Sequence, residues 1–196
     1  MCKFSEDSRQ KLGNAVIYIA NHTEQLSKTK LLKLLFLMEE YMVKRYHVPF
    51  MGLPFEIWQA GPVAKDIFID LSDGPFLLKE FVKTEVQKDA TYIRAIKPFC
   101  DDEFSDCEME MMDEIIQKYG KKTAKQLVAE VHKEGSLWFN AAKKHGLLTA
   151  FNKGLCNNSD YTIDFSEELS DCAREDYKES LAIHQTANIL KAQEHV

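Results

Sequence analysis

The stretch Leu31-Leu32-Lys33-Leu34-Leu35-Phe36-Leu37-Met38 decides the fold, because Lys33 is the one polar residue within it. A surface helix has one apolar face, whereas a helix that is apolar nearly all round is buried in a core. Ser27 can cap this helix at its start, and Val48-Pro49 ends it, since the residue before proline avoids the helical conformation. The pattern predicts a central helix over about 28–46, running through the middle of the core.

Lys33 interrupts the apolar surface of this helix. We interpret it as a snorkelling side chain, whose stem covers apolar surface while its ammonium group reaches water. The alternative is a role in binding, so Lys33 is also a candidate binding residue.

A sharp corner is expected in the segment Trp58-Gln59-Ala60-Gly61-Pro62-Val63. Gly61 permits a positive φ, while Pro62 fixes its own φ and has no amide hydrogen, which suits the first turn of a helix. We therefore predict an extended piece over 54–59, a turn at Gly61-Pro62 and a short helix over 63–71. The Trp58 ring is expected to be buried and to fix the approach to the corner.

The other elements follow from apolar periodicity and from capping residues. We predict a first helix from near Asp7, a β-hairpin over about 81–97 as the only strands, helices capped by Ser105, Thr123 and Ser136, a loop over 152–159, and a final helix over about 171–194. The fold class is therefore mainly α, a compact multi-helix domain around the central helix with a small hairpin.

Two parts of the chain are distinguished. Residues 1–150 form the predicted helical domain, and residues 151–196 form a C-terminal extension that either packs on this domain or binds a partner. The final helix of the extension carries a modest apolar stripe, consisting of Tyr177, Leu181, Ile183, His184 and Ile189.

Composition limits the function classes. The 196 residues carry a net charge of −6, which argues against nucleic acid as a partner, because broad phosphate binding needs a basic surface. The five cysteines are scattered without a C-x-x-C pair, so we expect reduced thiols and no zinc ribbon. The N-terminus lacks the apolar run of a signal peptide, and no apolar stretch is long enough to cross a bilayer. We expect a cytoplasmic protein without membrane contact.

Eight acidic residues and no basic residue lie between Asp101 and Glu114. Paired carboxylates can bind a divalent ion or serve as general acid and base. We instead interpret them as the solvent-exposed first turns of a helix, where the helix dipole favours negative charge. Four lysines between Lys118 and Lys125 follow, and such polarity suits electrostatic steering of protein–protein association.

The sequence shows no recognisable arrangement of catalytic residues. No two of the six histidines lie at i and i+4, and no phosphate-binding loop or nucleophile motif occurs. We expect no catalytic residue, cofactor or metal. His132 is interpreted as a helix-terminal histidine favoured by the helix dipole, with Trp138 packing the next helix into place. The alternative is a direct functional role, such as a hydrolase or nucleotide-binding enzyme that uses the region of His132 and Trp58.

Three segments in matching order resemble the Panacea domain, the antitoxin domain of SocA-like and phage-associated proteins. Lys30-Leu31-Leu32-Lys33-Leu34-Leu35-Phe36 is similar to its K-L-x-K-L-L-[YF] helix. Phe55 to Val63 resembles its segment ending in W-x-x-G-P-V, and His132-Lys133-Glu134-Gly135-Ser136-Leu137-Trp138 resembles its H-x-x-x-S-x-W corner. The likeness spans roughly residues 12–146. Leu32 departs from the polar residue of many members, and the long C-terminal extension is unusual for the family.

The resemblance implies a mostly helical antitoxin that binds and neutralises a co-encoded toxin protein. Some relatives instead act as adaptors that deliver a toxin to a cytosolic protease, and an unassigned phage or mobile-element role is a further alternative. The family's motif residues are not known to be catalytic. The candidate partner groove comprises Lys33, Trp58, Gly61, Pro62, Val63, His132 and Trp138. The sequence decides neither the toxin's identity nor whether the protein forms a homo-oligomer.

Overall fold

A computed structural model describes residues 4–72, 74–88 and 90–193 of the chain. In these residues there are eight α-helices, one 3₁₀ helix and two antiparallel strand pairs. The helices are α1 Glu6–His22, α2 Lys28–Tyr46, α3 Lys65–Asp70, α4 Asp106–Tyr119, α5 Ala124–Val131, α6 Leu137–Lys144, α7 Leu147–Asn152 and α8 Asp171–Gln193, with the 3₁₀ helix at Phe165–Glu168. The strands are β1 Glu56–Trp58, β2 Gly61–Val63, β3 Val82–Gln87 and β4 Ala90–Ala95. The predicted mainly α class with a small hairpin is confirmed.

Helix α2 is the centre of the fold, with the bounds that the sequence predicts. The backbone amide of Lys30 donates to Ser27 Oγ at 3.3 Å at its start, and His47 ends it in the left-handed conformation at φ 57°. Every residue from Lys30 to Glu39 is buried. Helices α4 and α5, strand β2 and the 3₁₀ helix pack against α2, so its apolar surface has protein on several sides.

Glu39 is a buried carboxylate on α2 that holds the loop before β1. Its oxygens accept hydrogen bonds from the backbone amides of Phe50, Met51 and Gly52, at 3.1, 2.9 and 3.2 Å. Burial raises the pKa of Glu39 from 4.5 to about 7, and the three amide donors oppose this rise because they favour the charged form. The loop at 50–52 is therefore fixed by one side chain of the central helix.

Local differences from the predicted elements have simple causes. Helix α1 begins at Glu6 because the Ser5 side chain, rather than that of Asp7, accepts from the Ser8 amide at 3.2 Å. Gly146 ends α6 as expected, but a further short helix, α7, follows it at once. Ser105 and Thr123 cap α4 and α5 in capping boxes with Glu108 and Gln126, as the spacing predicts.

The C-terminal extension runs alongside β1. The amides of Gln59 and Ile57 donate to the carbonyls of Asn157 and Tyr161, both at 2.9 Å, and the Ile163 amide donates to Phe55 O at 2.8 Å. Beyond this segment, the Phe165 ring lies 5.4 Å from that of Phe36 on α2. Residues 157–165 thus cover one edge of β1 and complete an aromatic part of the core. The division at residue 150 into two units stays a prediction.

Helix α8 contacts the domain along one face. Tyr177 is buried, His184 Nε2 lies 3.1 Å from Met51 O, and Asn188 Oδ1 accepts from Ser8 Oγ at 2.5 Å. Residues 177, 181, 184 and 188 follow one another at intervals of four, three and four, so they lie on the inner side of the helix. The predicted stripe is therefore split between two faces. Ile183 and Ile189 consequently point to solvent.

We expect Glu39→Gln to lower the free energy of unfolding by about 1–3 kcal/mol, because the amide group of glutamine adds a donor among three backbone donors. In the wild type, the raised pKa means that the native state binds more protons than the unfolded state between about pH 4.5 and 7. The contribution of Glu39 to stability is present in full below pH 4.5 and is lost as the pH rises through 7. Urea unfolding across this range measures the effect.

The difference in stability between the wild type and Glu39→Gln should therefore shrink as the pH rises from 5 to 7.5. Glu40→Gln is the matched control, since Glu40 is the next residue on α2 and forms a surface ion pair with Lys44 at 2.8 Å. Such pairs contribute about 0–1 kcal/mol. A difference for Glu39→Gln that is constant with pH would contradict the assignment.

Candidate functional site

The candidate residues lie in and around a second, very short hairpin. Strands β1 and β2 pair antiparallel with Trp58 opposite Gly61, and Gln59-Ala60 form the turn between them. The prediction that Pro62 leads directly into a helix is wrong, because Gly61–Val63 is itself a strand and α3 begins at Lys65. Pro62 is compatible with this strand, since proline is tolerated at the edge of a sheet, where no amide donor is needed.

Gly61 is required at its position for two reasons. Its φ is +96°, a conformation that other residues rarely adopt. A Cβ atom there would also lie 2.7 Å from Lys33 Cε and 3.0 Å from Val131 Cγ2. The hairpin therefore approaches both α2 and α5 too closely for any side chain, and the space beneath it is filled.

Lys33 lies under the hairpin and does not reach water. Its exposed fraction is 1%, and its Nζ atom donates a hydrogen bond to Pro62 O at 2.8 Å. The interpretation as a snorkelling side chain is wrong, because the hairpin covers this face of α2 and the polar group within reach is a backbone carbonyl. Burial lowers the pKa of Lys33 from 10.5 to about 7, so the amine loses its proton far more readily than a surface lysine.

Aromatic side chains connect the hairpin to α6. The His132 and Trp138 rings stack with centroids 3.8 Å apart and an angle of 12°. Trp138 Nε1 donates to Trp58 O at 3.1 Å, and Trp58 Nε1 donates to Glu56 Oε2 at 2.8 Å. The Trp58 ring also packs edge-on against Phe68, at 5.0 Å. These contacts position the hairpin turn relative to the first turn of α6.

His132 follows the last residue of α5, where the sequence suggested a histidine favoured by the helix dipole. The stack on Trp138 agrees with the predicted packing role of that ring. A charged histidine stabilised by the helix dipole does not agree with the electrostatic environment. Burial and, to a lesser extent, the positive charge of Lys33 together lower the pKa of His132 from 6.5 to about 4. His132 is therefore neutral near pH 7. Its Nε2 atom is buried and has no hydrogen-bond partner in the described part of the chain.

The structure brings the seven candidate residues into one region but exposes few of them. Lys33, Trp138 and the three residues of β2 are buried, whereas Trp58 and His132 are partly exposed. Gln59 and Ala60 are exposed at the hairpin turn, and sequence reasoning did not include them. Strands of three residues give no alternating pattern, so this turn had no clear signal. Whether the region binds a partner stays a prediction.

The acidic segment shows no sign of a metal centre. Within residues 4–72, 74–88 and 90–193, no three His, Cys, Asp or Glu side chains are grouped so that they could hold a metal ion. Glu108 has a structural role instead, since it accepts from the Ser105 amide at 3.0 Å and from Lys11 Nζ at 2.6 Å. None of the described helices is both long enough and apolar enough to cross a membrane.

We expect Gly61→Ala to destabilise the protein clearly more than Gly135→Ala. Both glycines have positive φ, but a Cβ on Gly135 would meet nothing within 4 Å. Gly135→Ala should cost about 1–2 kcal/mol through backbone strain alone. Gly61→Ala should cost about 1–3 kcal/mol more, because the new methyl group overlaps Lys33 and Val131. Equal losses in denaturant unfolding would contradict the close approach of the hairpin to α2.

We expect the stability of the wild type to rise between pH 7 and 9.5 relative to Lys33→Met. The lowered pKa means that native Lys33 releases its proton near pH 7, while the unfolded chain holds it up to about pH 10.5. The cost of burying the charge is thus present in full below pH 7 and is relieved as the pH rises. Lys125→Met, at an exposed position, is the control and should lack this dependence. Parallel pH profiles of wild type and Lys33→Met would argue against a buried, titrating amine.

A family model described as antitoxin SocA-like, Panacea domain, matches residues 31–139, which is more than half of the chain. The matched span begins in α2 and ends in α6, so it includes the short hairpin, Lys33 and the His132–Trp138 stack. No curated protein and no solved structure matches the chain significantly. The resemblance seen in the three sequence motifs is confirmed, and the chain belongs to the SocA-like antitoxin family of Panacea-domain proteins.

Proposed function

We propose that this protein is a cytoplasmic antitoxin that neutralises a co-encoded toxin protein by binding it directly. The observation that carries the proposal is the family match over residues 31–139, which includes the whole central helix after its first turn and the candidate site. The net charge of −6 supports a protein partner over nucleic acid.

The packing of the candidate site supports binding rather than catalysis. Enzymes use a concave pocket with converging polar groups. Here Lys33 Nζ is hydrogen-bonded to a carbonyl, the His132 ring lies flat on Trp138, and a Cβ on Gly61 would overlap the end of the Lys33 side chain. These groups fill the space beneath the hairpin. They therefore serve to hold the hairpin in shape, which favours a surface function over the enzyme alternative.

The exposed part of the site is the hairpin turn. Gln59 and Ala60 are exposed in it, with Trp58 and His132 partly exposed beside them. The buried residues Lys33, Gly61, Pro62, Val63 and Trp138 would then act indirectly, by fixing the position of this turn. We propose that the turn and its flanking rings are part of the surface that meets the partner.

Co-expression tests the proposed function. The product of the adjacent gene should stop growth when expressed alone, and growth should return when this protein is produced with it. The two should purify as a complex with an interface of about 1,200–2,000 Å². A growth-inhibitory protein from an unrelated system, which should not be neutralised, is the control.

Absence of both a complex and a rescue of growth would refute the proposal. A partner that binds but is neutralised only in cells with an intact cytosolic protease, and whose half-life lengthens without this protein, would instead support the adaptor alternative.

A further inference from the structure

The outer face of helix α8 exposes large apolar side chains in a stretch without charged residues. From Ser180 to Leu190 the chain contains no Asp, Glu, Lys or Arg. Ile183, Ile189 and Leu190 nevertheless expose 63%, 56% and 57% of their surface. A helix that faces only water normally has charged and polar residues on its outer side. Depletion of charge over an exposed apolar patch is typical of the centre of an interface.

The inner face of α8 already has its contacts, so the helix is not free to turn its apolar side inward. Tyr177 is buried, His184 contacts the Met51 carbonyl, and Asn188 accepts hydrogen bonds from the hydroxyls of Ser5 and Ser8. Opposite these residues, Ile183, Ala187 and Leu190 follow one another at helical spacing of four and three residues. We call these three residues the α8 stripe.

An acidic border continues the α8 stripe towards the start of the helix. Glu179 and Glu175 lie four and eight residues before Ile183, on the same side of the helix, and both are exposed. In the described part of the chain no basic group lies within ion-pair distance of either carboxylate. This side of the molecule therefore presents negative charge beside an apolar surface.

A second acidic segment lies near the inner contacts of α8, where His184 meets the Met51 carbonyl. The Phe104 ring, between Asp101 and Asp106, stacks on the Phe50 ring at 6.3 Å. Phe50 precedes Met51, whose carbonyl contacts His184. Electrostatic complementarity across an interface steers encounter and selects partners. The acidic border formed by Glu175 and Glu179 thus favours a basic partner, and the net charge of −6 opposes association of two copies of this chain.

We propose that the α8 stripe and its acidic border form the main docking surface for the toxin, and that the toxin's contact surface carries an apolar patch flanked by Lys or Arg side chains. This inference rests on the proposed function and names the surface that performs it. The stripe lies outside the matched residues 31–139. The matched domain then supplies a further contact at the hairpin turn, and α8, outside the matched span, supplies the main docking surface.

The first test places charge on the stripe. Ile183→Glu combined with Leu190→Glu should weaken binding to the purified product of the adjacent gene by at least tenfold, because glutamates would be buried against an apolar patch. Folding should be retained, since both side chains are largely exposed and glutamate favours helix, which circular dichroism and thermal unfolding verify. Val86→Glu is the matched control, at a residue 75% exposed on β3, and should leave the dissociation constant unchanged.

The second test alters the border. Glu175→Lys with Glu179→Lys should slow association several-fold at low salt, and the difference from the wild type should fade as the salt concentration rises. The corresponding Glu→Gln pair should give a smaller change in the same direction. Equal association rates for all three proteins at low salt would overturn the assignment of a basic partner.

The outcomes separate this inference from the proposed function. If the wild type binds the adjacent gene's product and the Ile183/Leu190 variant binds equally well, the docking surface is wrong while the antitoxin proposal stands. If the variant only converts a dimer to a monomer in sedimentation, the stripe joins two copies of this chain and the inference is likewise overturned. If the wild type itself neither binds nor rescues growth, the proposed function fails, and the inference with it.

Discussion

The structure depends on one constraint, which is that helix α2 is buried and still carries three ionisable side chains in its interior. Lys30 donates to the carbonyls of Gly120 and Glu24, Lys33 donates to that of Pro62, and Glu39 accepts from three amides of the loop 50–52. A buried charge without partners would be costly. Each side chain therefore takes its partners from the backbone of a loop, and the central helix holds the connections at three separate points.

The contact through Lys33 links the core to the candidate site. It fixes the carbonyl of Pro62, and the missing side chain at Gly61 lets the hairpin come close enough for this bond. From the hairpin, Trp58 O accepts from Trp138, on which His132 is stacked. The exposed turn at Gln59-Ala60 thus has its position set by a continuous series of buried contacts. This rigidity suits a surface that must be recognised without rearrangement, since ordering a loop on binding would reduce affinity.

Much of the fold could be predicted from sequence because its signals are local. The apolar circumference of α2, the Ser27 cap and the capping boxes at Ser105 and Thr123 each lie within a few residues of what they determine. Contacts between distant residues could not be predicted in this way. The environment of Lys33 depends on a carbonyl 29 residues away, and β1 is held by Asn157 to Ile163, so both the lysine's burial and the first strand pair were missed. His132 shows the same limit, because its charge state is set by burial against Trp138 and by Lys33 rather than by the helix that it follows.

The pairing of residues 157–163 with β1 has a consequence for the family domain when it is separated from the rest of the chain. The matched span ends at residue 139, yet the amides of Ile57 and Gln59 within it donate to the carbonyls of Tyr161 and Asn157, which lie beyond it. A protein shortened after residue 150 would retain every motif of the family while leaving these amides unpaired along a bare strand. Such a strand is a template on which another chain can add, so the truncated protein would be prone to aggregate. Residues 157–163, beyond the matched span, thus cover the edge of β1 and prevent another chain from pairing with it.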